Sequence, residues 1–78
     1  MRDEKLNGYF WVEKEDKSGN IVKADTMCEA IKKMVGNFAM TEISSEEDYC
    51  SYVVCYPANA IIPEKTEIIR ARTILVKN

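Results

Sequence analysis

One segment constrains the fold of this chain more than any other, the run "KADTMCEAIKKMVGN" at residues 23–37. Thr26 and Glu29 have the S/T-x-x-E spacing of a capping box, in which each side chain accepts a hydrogen bond from the backbone N–H of the other residue. Asp25 is a rival N-cap one residue earlier. The pair Gly36-Asn37 is a typical stop signal. The segment therefore predicts one helix of roughly ten residues.

The apolar residues of this helix lie on one side. They follow the i, i+3, i+4, i+7 spacing and are Ile31, Met34, Val35 and Phe38. Lys32 and Lys33 fall on the opposite side and near the C-terminus, where cations are favoured. A helix with a single apolar stripe needs another element to cover, and the rest of the chain favours strands.

Five segments around the helix have the composition of strands. "GYFWVEKED" and "IVKAD" flank the turn-rich "DKSGN" and predict a hairpin over residues 8–25. Downstream, "AMTEI", "YCSYVVCY" and "TEIIRARTILVKN" predict three more strands, separated by "SSEED" and the proline-bounded "PANAIIP". The predicted fold class is α+β, in the order ββαβββ, with a mostly antiparallel sheet and one amphipathic helix packed on one face.

The length and the start of the chain bound its organisation. Seventy-eight residues make one domain near the lower size limit for a lone apolar core. We expect residues 1–7 to be a flexible arm and residues 8–78 to be a single α+β domain. The opening "MRDEKLNG" lacks the apolar run of a signal peptide. Three cysteines, an odd number, do not fit a disulfide framework, so we expect a soluble, cytoplasmic protein with no membrane span.

The sequence lacks the residues and motifs that most often carry out catalysis. The chain has no histidine, which removes the commonest general base and the commonest metal ligand. Its three glycines are scattered, so no phosphate-binding loop is present. Cys50 and Cys55 are five residues apart in a predicted strand and point to opposite faces, so they cannot share a metal with Cys28. We expect a protein that is not an enzyme and that has neither cofactor nor metal.

Adjacent acidic residues occupy the predicted turn before the fourth strand, at Glu46, Glu47 and Asp48. No apolar neighbours are present to raise a carboxyl pKa there, so acid–base catalysis is not indicated. The turn is either a solvated hairpin tip or a small acidic patch that meets a basic partner. A net charge of −2 argues against a general nucleic-acid coat.

The sheet is expected to leave one face uncovered, which we name the open face because it lies away from the helix. Phe10 and Val12 are the more apolar pair of the first strand and should face the helix. Alternation then gives Tyr9, Trp11, Arg70 and Arg72 as candidate contact residues of the open face. Tyr52 and Tyr56, which share a face of their own strand, are added to these candidates. These residue types are enriched at protein-binding hot spots, and they also stack on nucleic-acid bases. The alternative is that the aromatic rings only shield the sheet, with arginine side chains lying across them.

The run into the helix resembles a known pattern. Val22, Ala24, Thr26, Glu29 and Ala30 form a "V-x-A-x-T-x-x-E-A" motif in which a strand ends and a helix opens. This motif resembles small phage-encoded proteins of the anti-CRISPR inhibitor type and related uncharacterised phage domains. The resemblance implies a small non-enzymatic inhibitor that binds a defence protein or complex. The resemblance does not identify any functional residues, because the matching residues are ones that form the structure of the strand and the helix.

These observations lead to two expected functions. The first is a non-catalytic protein-binding module, a mobile-element inhibitor of a host defence complex such as CRISPR–Cas. The alternative is a homodimerising nucleic-acid-binding or structural protein that uses the same open face. Ile68, Ile74 and Val76 should also point outward, which is more apolar surface than a lone monomer usually exposes. We therefore expect a partner, either a target protein or another copy of the chain.

Overall fold

The computed structural model describes residues 3–77. Its elements in chain order are β1 (Asp3–Glu13), β2 (Gly19–Lys23), α1 (Met27–Val35), β3 (Ala39–Ser45), β4 (Tyr49–Tyr56) and β5 (Lys65–Lys77). Within this range the five strands form one antiparallel sheet, and α1 packs on one of its faces. The predicted α+β fold in the order ββαβββ is confirmed.

The sheet places the two ends of the chain side by side at its centre. The spatial order of the strands is β2-β1-β5-β4-β3, so the first and last strands are neighbours. The β1–β2, β3–β4 and β4–β5 neighbours are joined directly along the chain, whereas the β1–β5 pairing is long-range. Because β2 and β3 lie at opposite edges, the connection through α1 crosses the sheet and covers one face.

The ends of α1 follow the sequence signals. The Thr26 hydroxyl accepts the predicted hydrogen bond from the Glu29 N–H at 3.1 Å. The Glu29 carboxylate differs from the prediction, because it accepts from the Asp25 N–H at 3.3 Å and not from the Thr26 N–H. Gly36 ends the helix with φ of 100°, a conformation that glycine adopts without a steric penalty. Its N–H donates to the Lys32 carbonyl at 2.7 Å. Capping side chains and a terminal glycine thus satisfy backbone groups that the helix itself leaves unpaired.

The core is a single layer between α1 and the sheet. Its buried members are Val12, Ala24, Ala30, Ile31, Cys50, Val54, Ile69 and Ala71. Ala71 of β5 lies opposite both Val12 of β1 and Cys50 of β4, so the three central strands contribute adjacent residues. Burial of each large apolar side chain contributes roughly 1.5–3 kcal/mol. Such a thin core explains why the small residues Ala30 and Ala71 occupy it, since they let helix and sheet approach closely.

The flexible arm expected at residues 1–7 is wrong for its described part. β1 already begins at Asp3, and residues 3–5 pair with residues 75–77 of β5. The reason is the length of β5. Its thirteen residues extend beyond the end of β4, so its last residues pair with the start of β1. Lys5 also forms an ion pair with Asp48 at 2.9 Å. Residues 1 and 2 lie outside the described range.

Alternation along β5 predicts that Leu75 faces the core with Ile69 and Ala71, but Leu75 does not lie in the core. Its side chain is 57% exposed. The described molecule is 54 Å long but only about 20 Å wide, and the pairing of residues 3–5 with residues 75–77 extends it beyond the region that α1 covers. Alternation therefore sets the direction of a side chain, but a nine-residue helix is too short to bury all of one face of a thirteen-residue strand.

A candidate binding face on the open side of the sheet

The two central strands position the main residues of the open face. Trp11 lies directly opposite Arg72, and Glu13 lies directly opposite Arg70. Val12 and Ala71, which alternate with them, are buried beneath α1. The first four side chains therefore project from the side of the sheet away from the helix. Tyr9 has the same parity as Trp11 and joins this face with 36% of its surface exposed.

Trp11 is held in place by two neighbours. A side-chain carbon added at Gly19 of β2 would lie only 2.7 Å from Cζ2 of Trp11, so the indole occupies space that a glycine leaves empty. The guanidinium carbon of Arg72 lies 6.0 Å from the centre of the indole, within cation–π range. The ring is thus half-buried and oriented before any partner arrives.

Two hollows flank the pair formed by Trp11 and Arg72. The first, of about 180 Å³, is lined by Trp11, Glu13, Tyr49, Arg70, Ala71 and Arg72. The second, of about 410 Å³, is lined by Trp11, Ile21, Arg72, Thr73, Ile74 and Leu75. Trp11 and Arg72 belong to both and separate them. One hollow offers cationic groups and the other is largely apolar, so together they suit a carboxylate next to an apolar side chain.

Sequence reasoning missed three residues of this face: Glu13, Ile21 and Tyr49. Ile21 lies opposite Trp11 and is 59% exposed. Tyr49 lies opposite Arg72 from the β4 side and is also exposed. The available signal was the alternation of "YCSYVVCY", because burial of Cys50 and Val54 on one side turns Tyr49 to the other.

The expectation that Tyr52 and Tyr56 share the open face is wrong. Tyr52 lies opposite the fully buried Ile69, and both tyrosines pack against the core on the helix side. The Tyr56 hydroxyl donates to a Glu67 carboxylate oxygen at 2.9 Å. The Tyr56 ring meets the Phe38 ring edge to face at a centroid distance of 5.0 Å. The physical reason is strand alternation, because Tyr52 and Tyr56 have the same parity in β4 as the buried Cys50 and Val54.

Burial changes the acidity of both phenols. It raises the pKa of Tyr56 to about 12, with the hydrogen bond to Glu67 as a further cause. Burial also raises the pKa of Tyr52, together with a hydrogen bond to the Cys28 thiol. Both phenols are therefore neutral structural groups at ordinary pH.

The acidic turn lies at the end of the β3–β4 hairpin and is exposed, with Glu46, Glu47 and Asp48 all facing solvent. The Lys5 ammonium group contacts Asp48 at 2.9 Å and Glu47 at 3.5 Å, and these carboxylates, Asp48 first, raise the lysine pKa. The turn is thus partly neutralised by the chain itself. Asp48 precedes Tyr49, so the acidic turn lies beside one edge of the open face.

The cysteines do not come together as a metal site. Cys50 is buried, whereas Cys28 and Cys55 are partly exposed, and all three thiols are free. No three acidic or cysteine side chains among residues 3–77 are grouped so that they could hold a metal ion. Burial raises the pKa of the Cys50 thiol, which disfavours the reactive thiolate.

Comparisons with protein-family models, curated proteins and solved structures find no significant match. No helix in the described part of the chain is long and apolar enough to cross a membrane.

Proposed function

We propose that this chain is a non-catalytic binding module that engages a partner protein through the open face. The observation that carries the proposal is the pair of Trp11 and Arg72, which is oriented in advance and has a hollow on each side. Tryptophan, tyrosine and arginine are the residue types that dominate binding energy at protein interfaces. A ring already held by Gly19 loses little conformational entropy when a partner covers it.

The charges of the open face define the chemistry of the partner. The first hollow has Arg70 and Arg72 against Glu13, a net charge of +1, and the second has Arg72 alone, also +1. The whole chain has a net charge of −2, so this face is locally of opposite sign. A partner surface with a carboxylate next to an exposed aliphatic or aromatic side chain would complement it.

The proposal is tested by capture from the native host, followed by titration of the purified partner. Arg72→Glu and Ile21→Asp should each weaken binding at least about tenfold, because they reverse a charge or place one in an apolar contact. Ile43→Asp is the matched control, since Ile43 is 53% exposed on the edge strand β3. If the two open-face variants bind the partner as tightly as the wild type, the open face is not the interface. The same conclusion follows if Ile43→Asp weakens binding to the same extent as they do.

Nucleic acid is the second candidate, because Trp11, Tyr49 and two arginines could stack with and neutralise a single strand. Salt dependence separates the two: affinity for nucleic acid falls steeply with salt, whereas an apolar aromatic contact does not. Fluorescence anisotropy of labelled oligonucleotides from low to physiological salt makes this measurement. Oligonucleotide binding that needs Trp11 and weakens steeply from low to physiological salt would favour nucleic acid over a protein partner.

The target class remains a prediction of the sequence. The motif at residues 22–30 implies a cytoplasmic defence complex as the partner and a mobile element as the source. Its residues lie at the β2–α1 junction, where Thr26 and Glu29 cap the helix. Co-purification of a CRISPR–Cas component that depends on Arg72 would support this target.

A further inference from the structure

The loop between β4 and β5 exposes two consecutive isoleucines at the end of the molecule opposite the β1–β5 extension. Ile61 is 91% exposed and Ile62 is 54% exposed. The last pair of the hairpin is Tyr56 with Lys65, so eight residues connect strands that a two-residue turn could join. An exposed apolar tip on a longer connection lowers the solubility of the protein. A loop that only connected the two strands would have polar residues at its tip.

Hydrogen bonds within the loop fix its conformation. The Asn59 side-chain oxygen accepts hydrogen bonds from the N–H groups of Ile61 and Ile62, both at 2.8 Å. The Asn59 N–H donates to the Ile62 carbonyl at 2.9 Å. Pro57 and Pro63 restrict the backbone on either side. We name residues 59–62 the finger, because these contacts hold the Ile61 side chain out into solvent.

A groove lies directly beside the finger, between the C-terminal end of α1, the β1–β2 turn and the β4–β5 loop. Its volume is about 670 Å³. We name it the end groove. Its apolar lining is Met34, Val35, Phe38, Tyr56, Pro57, Ala58 and Ile62, and its charged lining is Lys14, Asp16, Lys65 and Glu67. Ile62 already lines the groove of its own chain, whereas Ile61 does not, so Ile61 is available to another molecule.

We propose that two copies of this chain associate by exchanging fingers, so that Ile61 of each copy enters the end groove of the other. An isologous two-fold contact uses the same patch on both copies and covers both fingers and both grooves in one step. A head-to-tail contact with the same features would leave one finger and one groove bare in every pair. The exchange goes beyond the proposed function, because it uses the helix side of the sheet and not the face that bears Trp11 and Arg72.

The charges around the end groove favour a second copy over other occupants. Lys14 and Lys65 balance Asp16 and Glu67, so the rim has no net charge. Two neutral rims meet without repulsion, whereas nucleic acid or an anionic membrane would require a basic excess. Both open faces then remain uncovered, and a dimer would bind a repeated or paired target with avidity.

Sedimentation velocity over about 1 μM to 1 mM tests the exchange on the purified chain. The wild type should show a concentration-dependent monomer–dimer equilibrium. Ile61→Asp should weaken the dimer roughly ten- to hundredfold, because each finger loses the burial of one isoleucine. Ile21→Asp is the matched control: it makes the same change at an exposed isoleucine of the open face and should leave the dimer intact.

A charge exchange distinguishes finger-in-groove contact from a general apolar effect. Ala58→Arg places a cation in the end groove and should also yield monomers. Mixing this variant with Ile61→Asp should restore association, since the carboxylate on one finger then meets the guanidinium in the other groove. A wild type that is monomeric throughout the range, an Ile61→Asp dimer as tight as the wild type, or loss of the dimer only in Ile21→Asp would each overturn the exchange. None of these outcomes alters the partner-binding test.

Discussion

Trp11 shows how one glycine fixes the orientation of a partly exposed side chain. The indole rests where Gly19 has no side chain, and Arg72 lies over the same ring from the neighbouring strand. The position of Trp11 therefore depends on β2 and β5 together, although the residue itself belongs to β1. This arrangement makes the ring part of the folded framework as well as part of the candidate interface.

Gly19→Ala should displace the indole and destabilise the fold by roughly 1–3 kcal/mol, because the added carbon would overlap the ring and the Val12 carbonyl. The chain has one tryptophan, so its fluorescence reports on Trp11 alone. We expect a red-shifted emission maximum and a lower urea midpoint. Asn20→Ala, the neighbouring exposed position of β2, should change neither. An unshifted spectrum for Gly19→Ala would mean that the ring does not rest on Gly19.

The raised pKa of Tyr56 predicts that the fold loses stability in alkali. The pKa of Tyr56 is about 12 in the folded chain, above the value of about 10 for an unfolded tyrosine. A raised folded-state pKa stabilises the fold fully below about pH 10, and this contribution is lost as the pH rises through about 12. Tyr56→Phe should flatten the fall in urea midpoint over this window, whereas Tyr49→Phe, which removes an exposed phenol, should not. Equal slopes for both variants would contradict the assignment.

The cysteines are expected to be reduced and without metal in the purified protein. Cys50 is buried, and the described residues offer no cluster of ligands around it. Denaturing mass spectrometry should give the mass of the fully reduced chain, and metal analysis should find no stoichiometric zinc. A mass lower by two hydrogens would instead reveal a disulfide between two of the three thiols.

At the scale of elements, α1 is short and depends on its caps. A nine-residue helix is marginal by itself, so the bonds at its ends and the burial of Ile31 hold it in place. Its single crossing covers only the middle of the sheet. On the helix side, the uncovered remainder includes Leu75 and the β1–β5 extension, and it follows from the length of the helix.

Thr26→Ala should lower the free energy of unfolding by about 1 kcal/mol, since it leaves the Glu29 N–H without its partner. Glu29→Ala should cost less, because its bond to the Asp25 N–H is longer and exposed. Lys32→Ala is the control, an exposed helical position whose side chain is not needed for either cap. Chemical denaturation measures all three, and unchanged midpoints for both cap variants would show that the helix does not begin at this cap.

At the scale of the whole molecule, the first and last strands are neighbours in the sheet, and the two proposed binding surfaces lie apart. The open face faces away from α1, and the end groove lies on the helix side at the end that holds the β4–β5 loop. One surface is cationic and apolar, and the other is apolar with a neutral rim. If the proposed associations occur, burial of these two surfaces would add to the stability of a chain of this size.

The sequence by itself determined the elements and most of their directions. A capping box, a terminal glycine and a stripe of spacing 3.6 specify α1 locally, because these signals act within one or two helical turns. Alternation in "YFWV" and "IIRART" likewise separates Trp11, Arg70 and Arg72 from Val12 and Ile69. These predictions depend only on neighbours in the chain, and the fold agrees with them.

Only the tertiary structure decided which strands meet and how far the helix reaches. Pairing β1 with β5 converts the expected arm into a strand, and it brings Arg72 over Trp11, sixty-one positions earlier in the chain. The β4–β5 register places Tyr52 opposite the buried Ile69 on the helix side, and Leu75 lies outside the core. The physical reason is that the two faces of these strands have similar composition. Which face is buried depends on the element that packs against it from elsewhere in the chain, and the local sequence pattern does not contain that information.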